Sequence, residues 1–363
     1  MKVLGIETSC DETAASVVED GRRLLSNVVA SSMDLHAQYG GVVPEIAARS
    51  HIEVILPVIS EALEEAECTW GDIDAIAVTY GAGLGGSLLV GVLTARTLAI
   101  AHDKPLYAIN HVEAHIYANF LTETSLPGYT MRESQPEFPM LAIIVSGGHT
   151  QFALFENHFR YRLLGQTQDD AIGEAFDKVA KIVGLPYPGG PSVGKAALRG
   201  DPFAYELPKA RMNGYDFSFS GLKTAVLRLA QKEIGEDYTF PSKDVPERLS
   251  EAQKNDVAAS FQRVATETVA DKAALAVKEF SPASVVVAGG VAANQELRNQ
   301  LAGRIHVSDL QSQTGGPYPI QYPDMKLCTD NGAMVATLGC FKAMLGQPEA
   351  DPYTLDINPS LSM

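Results

Sequence analysis

Apolar and polar positions come in blocks along this chain of 363 residues. Residues 3–6 are apolar, Glu7-Thr8-Ser9-Cys10-Asp11-Glu12-Thr13 is polar, and residues 14–18 are apolar again. That pattern predicts two strands joined by a polar turn. It returns in residues 141–145, Ser146-Gly147-Gly148-His149-Thr150 and residues 151–155. Ser9 aligns with Ser146, and Thr13 with Thr150, at a single offset of 137 residues. The chain therefore repeats a β-hairpin with a polar tip.

A second pair of units supports the repeat. Residues 73–79 read as a buried strand ending in Gly81-Ala82-Gly83-Leu84-Gly85-Gly86-Ser87, followed by an apolar helix. Residues 284–288 end likewise in Gly289-Gly290-Val291-Ala292-Ala293-Asn294, before a helix over residues 295–301. Each turn presents backbone N–H groups and a helix N-terminus to an anion. The expected fold class is α/β, two related domains facing across a nucleotide cleft lined by these turns. It resembles the actin, Hsp70 and sugar-kinase superfamily.

The expected N-terminal domain spans residues 1–127, with a helical insertion over 28–66, and is completed by residues 332–363. In the insertion, Pro44 suits the first helical position, and Ile46, Ile55, Leu56, Ile59 and Leu63 form a stripe expected in the core. The C-terminal domain spans residues 128–331 with a basic insertion over 178–232, and residues 128–138 form the connection. The helix over residues 332–345 is expected to pack onto a sheet. Residues 85–101, the longest apolar stretch, contain Arg96 and several glycines, and read as a buried helix, not a membrane span.

Composition narrows the function classes. A hydrophobic fraction of 46% and a charged fraction of 20% are those of an ordinary globular protein. Lys2, a short apolar run and then Glu7, Asp11 and Glu12 leave no room for the apolar core of a secretory signal. Cys10, Cys68, Cys328 and Cys340 lie far apart, which suits a reducing compartment and excludes a C-x-x-C zinc site. The expectation is a cytoplasmic protein without a membrane partner. A net charge of −16 repels RNA on average, but residues 178–232 carry nine basic side chains against three acidic ones.

Residues 105–109 form a predicted strand, and a helix starts at Asn110-His111-Val112-Glu113-Ala114-His115-Ile116-Tyr117. His111 and His115, four apart, project from one face and suit two ligands of one divalent metal. Asp330, in Cys328-Thr329-Asp330-Asn331-Gly332, is available as a third ligand or as a helix N-cap. In a metalloprotease H-E-x-x-H helix the glutamate directly follows the first histidine. Glu113 stands two residues on, about 200° round the helix, so that general base is missing and peptide hydrolysis is disfavoured. A sugar or acetate kinase would carry a D-x-G-T hairpin tip, where this chain has Glu7-Thr8-Ser9. A non-enzymatic nucleotide-binding subunit has no need of an open metal site.

Further motifs are Gly173-Glu174-Ala175-Phe176-Asp177-Lys178, Tyr187-Pro188-Gly189-Gly190-Pro191 and Phe217-Ser218-Phe219-Ser220-Gly221-Leu222-Lys223-Thr224. With those above, in this order, the sequence resembles the tRNA N6-adenosine threonylcarbamoyltransferase family. The resemblance implies threonylcarbamoyl adenylate as donor and, as acceptor, N6 of the adenosine just 3′ of the anticodon. It implies a metal, Fe2+ or else Zn2+, on His111, His115 and Asp330. Ile144, Val145, Ser146, Gly147 and Gly148 would hold the acyl adenylate, Asp177 the ribose, Gly190 the nucleoside and Asn294 the adenine side. Gly194 stands where many relatives carry an acid, so the ribose contact that the resemblance implies from an acidic side chain there does not carry over to this chain. A paralogous actin-like subunit and a small ATPase are the implied partners. Adenosine's amine is a poor nucleophile, so a base is useful. Glu12, then Asp11 and His149, are the candidates on the two hairpin tips.

Overall fold

A computed structural model describes residues 1–305 and 320–363. It forms two compact units, Met1–Pro136 with Tyr322–Met363, and Glu137–Gln321. Residues 128–136 and 322–331 therefore belong to the first unit, not to the second domain in which the sequence placed them. The reason is local bonding: Thr130 N donates to Asp324 Oδ2 at 2.7 Å, and the Gln135 amide donates to Phe120 O at 2.9 Å.

Unit 1 holds strands β1 (Lys2–Glu7), β2 (Glu12–Glu19), β3 (Arg23–Leu24), β4 (Val28–Ser31), β5 (Ala75–Gly81), β6 (Leu106–Asn110) and β7 (Glu123–Thr124). Its helices begin with α1 (Met33–Ala37), α2 (Pro44–Glu65), α3 (Gly85–His102) and α4 (His111–Tyr117). Unit 2 contains β8 (Met140–Val145), β9 (Thr150–Asn157), β10 (Arg160–Gln166), β11 (Ser284–Ala288) and β12 (Ile320–Gln321). Its helices are α5 (Ile172–Val183), α6 (Gly189–Ala197), α7 (Ser220–Glu233), α8 (Glu251–Phe280) and α9 (Gln295–Arg304). The chain then returns to unit 1 as α10 (Gly332–Met344).

The two sheets share one plan. Unit 1 runs β6-β5-β1-β2-β3-β7, with β4 also pairing β2, and unit 2 runs β10-β9-β8-β11-β12. The order β3-β2-β1-β5-β6 thus matches β10-β9-β8-β11-β12. In both, the hairpin pairs are antiparallel and the remaining pairs parallel. Register agrees as well: Glu7 pairs with Ala14, and Ile144, 137 residues on, pairs with Gln151. The repeat seen in the sequence is a repeat of backbone pairing, and the fold is the expected class of two related α/β domains.

Core packing explains the all-apolar segments. Every residue of α10 from Gly332 to Phe341 is buried against β1, β2, β5 and α4, as a helix apolar all round should be. A Cβ at Gly5 would stand 2.3 Å from Ala336 N, so glycine lets α10 approach β1.

Three expectations change. Residues 28–31 are not helical: Val28 pairs with Ala15 and Ser31 with Glu12. In α2, Ile55, Ile59 and Leu63 are buried but Leu56 is 59% exposed, because it lies about 100° round the helix from Ile55. α3 buries Leu88, Val92, Ala95 and Ala99, yet leaves Leu89, Leu93 and Ile100 exposed. Among the described residues α3 is the one helix long and apolar enough to cross a membrane, but it packs on β5 and α2.

Candidate metal centre and loop cradle

α4 starts sharply because Asn110 caps it. The Asn110 side chain accepts from Val112 N at 2.9 Å and Glu113 N at 3.3 Å, and its amide donates to Ser362 O at 3.1 Å. All seven residues of α4 are buried. Asp330 is not the cap of α10, since Asn331 takes that role through Met334 N at 2.9 Å. The Asp330 carboxylate instead stands beside the two histidines. Asp330 Oδ1 lies 3.2 Å from His115 Nε2 and 3.6 Å from His111 Nε2, and one ligand atom from each residue falls within 4.8 Å of the others.

The surroundings fit a divalent cation. Among the described residues neither ring nitrogen of His115 has a partner in hydrogen-bond geometry, Asp330 Oδ1 beside Nε2 included, although the side chain is almost wholly buried. Burial penalises a charged His111, but the Asp330 and Glu7 carboxylates outweigh it and push the imidazole up to about 9. Burial likewise raises Glu12, and with Asp330 and Asp11 beside it the carboxyl is pushed up to about 10. Carboxylates thus gather faster than this unit neutralises them. A cation between two imidazoles and a carboxylate relieves that excess and satisfies His115.

Deeper in unit 1 lie contacts the sequence did not reveal. Glu7 is fully buried; its Oε1 accepts from Ser9 N and its Oε2 from the Thr79 hydroxyl, each at 2.5 Å. His111 Nδ1 faces Ser9 Oγ at 3.0 Å and Glu7 Oε2 at 3.4 Å. Burial alone would raise Glu7, but the adjacent His111 holds it below the usual carboxylate range. His51 of α2 grips the hairpin tip, with Nδ1 2.7 Å from Thr13 Oγ1 and Nε2 3.0 Å from Cys10 O. The signal for such a network is polar residues ending or interrupting apolar strands, because buried polar groups need partners. Glu113 is also buried, and burial raises its carboxyl despite the Lys342 ammonium nearby.

Unit 2 assembles backbone where unit 1 assembles carboxylates. Ile144 and Val145 end β8, and the loop closes with Ser146 N donating to His149 O at 2.8 Å and His149 N to Ser146 Oγ at 3.1 Å. Gly147 and Gly148 are exposed, and a Cβ at either would meet nothing within 4 Å. Neighbours of the loop are tight: a Cβ at Gly173 would lie 2.6 Å from Ser146 O, and one at Gly289 2.5 Å from Val145 O. Asp177 Oδ1 accepts from Gly189 N at 2.7 Å, which ties α5 to the turn before Gly190. Asn294 caps α9 through Leu297 N at 3.0 Å, and its amide donates to Gln262 Oε1 at 3.0 Å. Gln262 Oε1 also lies 3.6 Å from the place of a Cβ on Gly194.

The basic segment is less free than its composition suggests. Lys209 lies 2.8 Å from Glu267 and 2.9 Å from Asp271, so it belongs to an internal ion network with Arg304. Lys178 and Lys223 both pair with Asp170. Among the described residues Lys181, Lys195, Arg211 and Lys232 have no acidic partner. Asp169, passed over in the sequence, holds the Phe217–Thr224 motif by accepting from Ser218 Oγ, Phe219 N and Ser220 N.

Comparison with known proteins adds the family. A family model described as tRNA N6-adenosine threonylcarbamoyltransferase matches residues 23–337. A protein of that name from Thermomicrobium roseum is 49% identical over 354 residues, covering 95% of this chain and 93% of its own. Another from Symbiobacterium thermophilum is 50% identical over 340 residues, covering 93% and 91%. Among solved structures, full-length HypF in its phosphate- and nucleotide-bound form aligns with 94% of this chain and 55% of its own, with a TM-score of 0.53. At 13% identity that likeness is one of fold.

Proposed function

The chain belongs to the tRNA N6-adenosine threonylcarbamoyltransferase family, and we propose that it uses threonylcarbamoyl adenylate as donor and releases AMP. The acceptor is N6 of the adenosine 3′ of the anticodon in tRNAs reading codons that begin with A. One divalent metal, Fe2+ or else Zn2+, is held by His111, His115 and Asp330. The observation that carries this reading is the convergence of those three side chains, with His115 buried and, among the described residues, without a hydrogen bond. Reaction of the purified protein, with its partners, on unmodified tRNA and threonylcarbamoyl adenylate tests it. Mass spectrometry should find threonylcarbamoyladenosine, and unmodified adenosine after complete incubation would refute the donor.

Bound by His111, His115 and Asp330, the metal would supply a Lewis acid for the carbamoyl carbonyl or the departing phosphate. An acyl adenylate is already activated, so no side chain has to act as nucleophile. Gly147 and Gly148 offer backbone N–H groups beside open space, which suits a developing oxyanion. Asp177, Gly190 and Asn294 complete the nucleoside contacts, the Asn294 carboxamide being oriented by its cap and by Gln262. Glu12 remains the first candidate for the base, with Asp11 and His149 behind it. Burial first, and then the carboxylates of Asp330 and Asp11, keep its proton on, so it accepts a proton at neutral pH only when positive charge at Asp330 offsets them.

Partners complete the reading. Ile52 and Leu56 on α2, and Leu89 and Leu93 on α3, are exposed pairs spaced four apart on two helices that pack together. We assign this apolar face to the paralogous actin-like subunit, with a small ATPase as the second partner. For tRNA phosphates the candidates are Lys181 and Lys243, which with Lys178 and Lys223 line a cavity of about 410 Å³ in unit 2.

A further inference from the structure

We propose that Glu7 is the positioning carboxylate of the metal centre, fixing the tautomer and ring orientation of His111. The inference rests on the metal reading above. His111 can donate a lone pair from Nε2, the nitrogen turned toward Asp330, only if its proton sits on Nδ1. Two oxygens face Nδ1, Ser9 Oγ at 3.0 Å and Glu7 Oε2 at 3.4 Å. The hydroxyl can serve either tautomer, since it both donates and accepts. An ionised carboxylate only accepts, so Glu7 disfavours a lone pair on Nδ1 and selects the tautomer that leaves Nε2 open.

Glu7 is itself held in place by contacts from two directions. Ser9 N fixes Oε1 and the Thr79 hydroxyl fixes Oε2, while the side chain is 0% exposed. Glu7 closes β1 and Thr79 lies in β5, its parallel neighbour, so the carboxylate stands on paired strands. A carboxylate buried so completely is costly unless its acceptor sites are used. Carboxylates that accept the second N–H of a ligating histidine raise its basicity and restrict its rotation, and their loss typically weakens metal binding by about 10–100-fold.

The test is Co2+ titration of the full chain by calorimetry, with the visible absorption of the bound ion as a second readout. Glu7→Gln keeps the shape and can still accept from Thr79, but it removes the anionic acceptor. It should weaken Co2+ binding by about 10–100-fold and shift the absorption bands, while the metal-free protein, which loses the Ser9 N contact and some stability with it, stays folded by circular dichroism at the titration temperature. Ser9→Ala should cost less than about threefold, because Glu7 remains. Equal affinity in Glu7→Gln and wild type, or an equal loss in Ser9→Ala, would overturn the role. Should Glu7→Gln fail to fold, nitrogen-15 spectra of the Zn2+-loaded wild type decide: a proton on His111 Nδ1 in slow exchange is expected, and metal on Nδ1 refutes the proposal. A wild type that takes up no Co2+ and no Zn2+ would instead remove the metal reading, and this inference with it.

Discussion

The two units place different residues on the tips of one scaffold. Both centre on the same hairpin in the same register, and both extend it with parallel strands on the same side. At the tip in unit 1 stand Asp11 and Glu12, with Glu7 behind them, where unit 2 has Ser146-Gly147-Gly148-His149. The first tip, joined by His111, His115 and Asp330, suits a cation; the second, bare of side chains at Gly147 and Gly148, suits an anion approached by backbone. A shared fold therefore fixes where a tip stands, and a few side chains decide what charge it welcomes.

The largest effect should come from removing a ligand on the cation side. His115→Ala should lose most bound metal by mass spectrometry and at least about 100-fold in transfer rate, because two remaining ligands hold a divalent ion poorly. Full metal occupancy in that variant would break the contrast between the tips.

On the anion side, glycines sort into two kinds. Gly148→Val should weaken adenylate binding about tenfold or more with little change in unfolding temperature, since its side chain enters open space. Gly173→Ala should instead cost about 1–3 kcal/mol of stability, because its Cβ would press on Ser146 O. Calorimetric melting of both variants, with adenylate titration of the first, separates ligand space from packing space.

The apolar face gives unit 1 a second distinguishing mark. The double change Leu56→Glu and Leu93→Glu should weaken the complex with the paralogous subunit by roughly 10–100-fold on a sizing column or by calorimetry. Both side chains are exposed, so the isolated chain should melt as before. An undisturbed complex would move the interface elsewhere.

A smaller effect is expected from pH. Glu12 is held above its ordinary value, so the folded protein binds its proton more tightly than the unfolded chain does. Its contribution to stability is present below the unfolded value near 4.5 and is lost as pH rises toward about 10. Metal-free wild type should lose stability gradually as pH rises through this window. Glu12→Gln should flatten the slope. An identical slope in the variant would show that burial and the neighbouring carboxylates do not hold Glu12 above its ordinary value.

The smallest effect concerns phosphate contacts on unit 2. Lys181→Glu and Lys243→Glu should each lower the salt slope of tRNA binding by about one unit. Lys209→Glu is the poorer probe, because it breaks the pairs with Glu267 and Asp271. An unchanged slope at Lys181 and Lys243 would leave that cavity without a role in tRNA capture.

Local pattern alone determined the repeat and two of the three residues of the candidate metal centre. Alternation of apolar and polar blocks set both hairpins, whose 137-residue offset returns as identical pairing. Spacing along one helix brought His111 and His115 together. These features depend on neighbours in the chain, where periodicity and turn chemistry act directly. Tertiary structure decided what depends on distant segments. Asp330 became available because Asn331 caps α10 and because residues 322–331 join unit 1. His51 reaches the hairpin tip only once α2 lies on β2, and Glu7 meets Thr79 only once β1 pairs with β5. Lys209, one of the nine basic side chains counted in residues 178–232, found acids about sixty residues away on α8. Charge counted along a sequence ignores such partners, because the pairing that neutralises a side chain is chosen by packing across the fold.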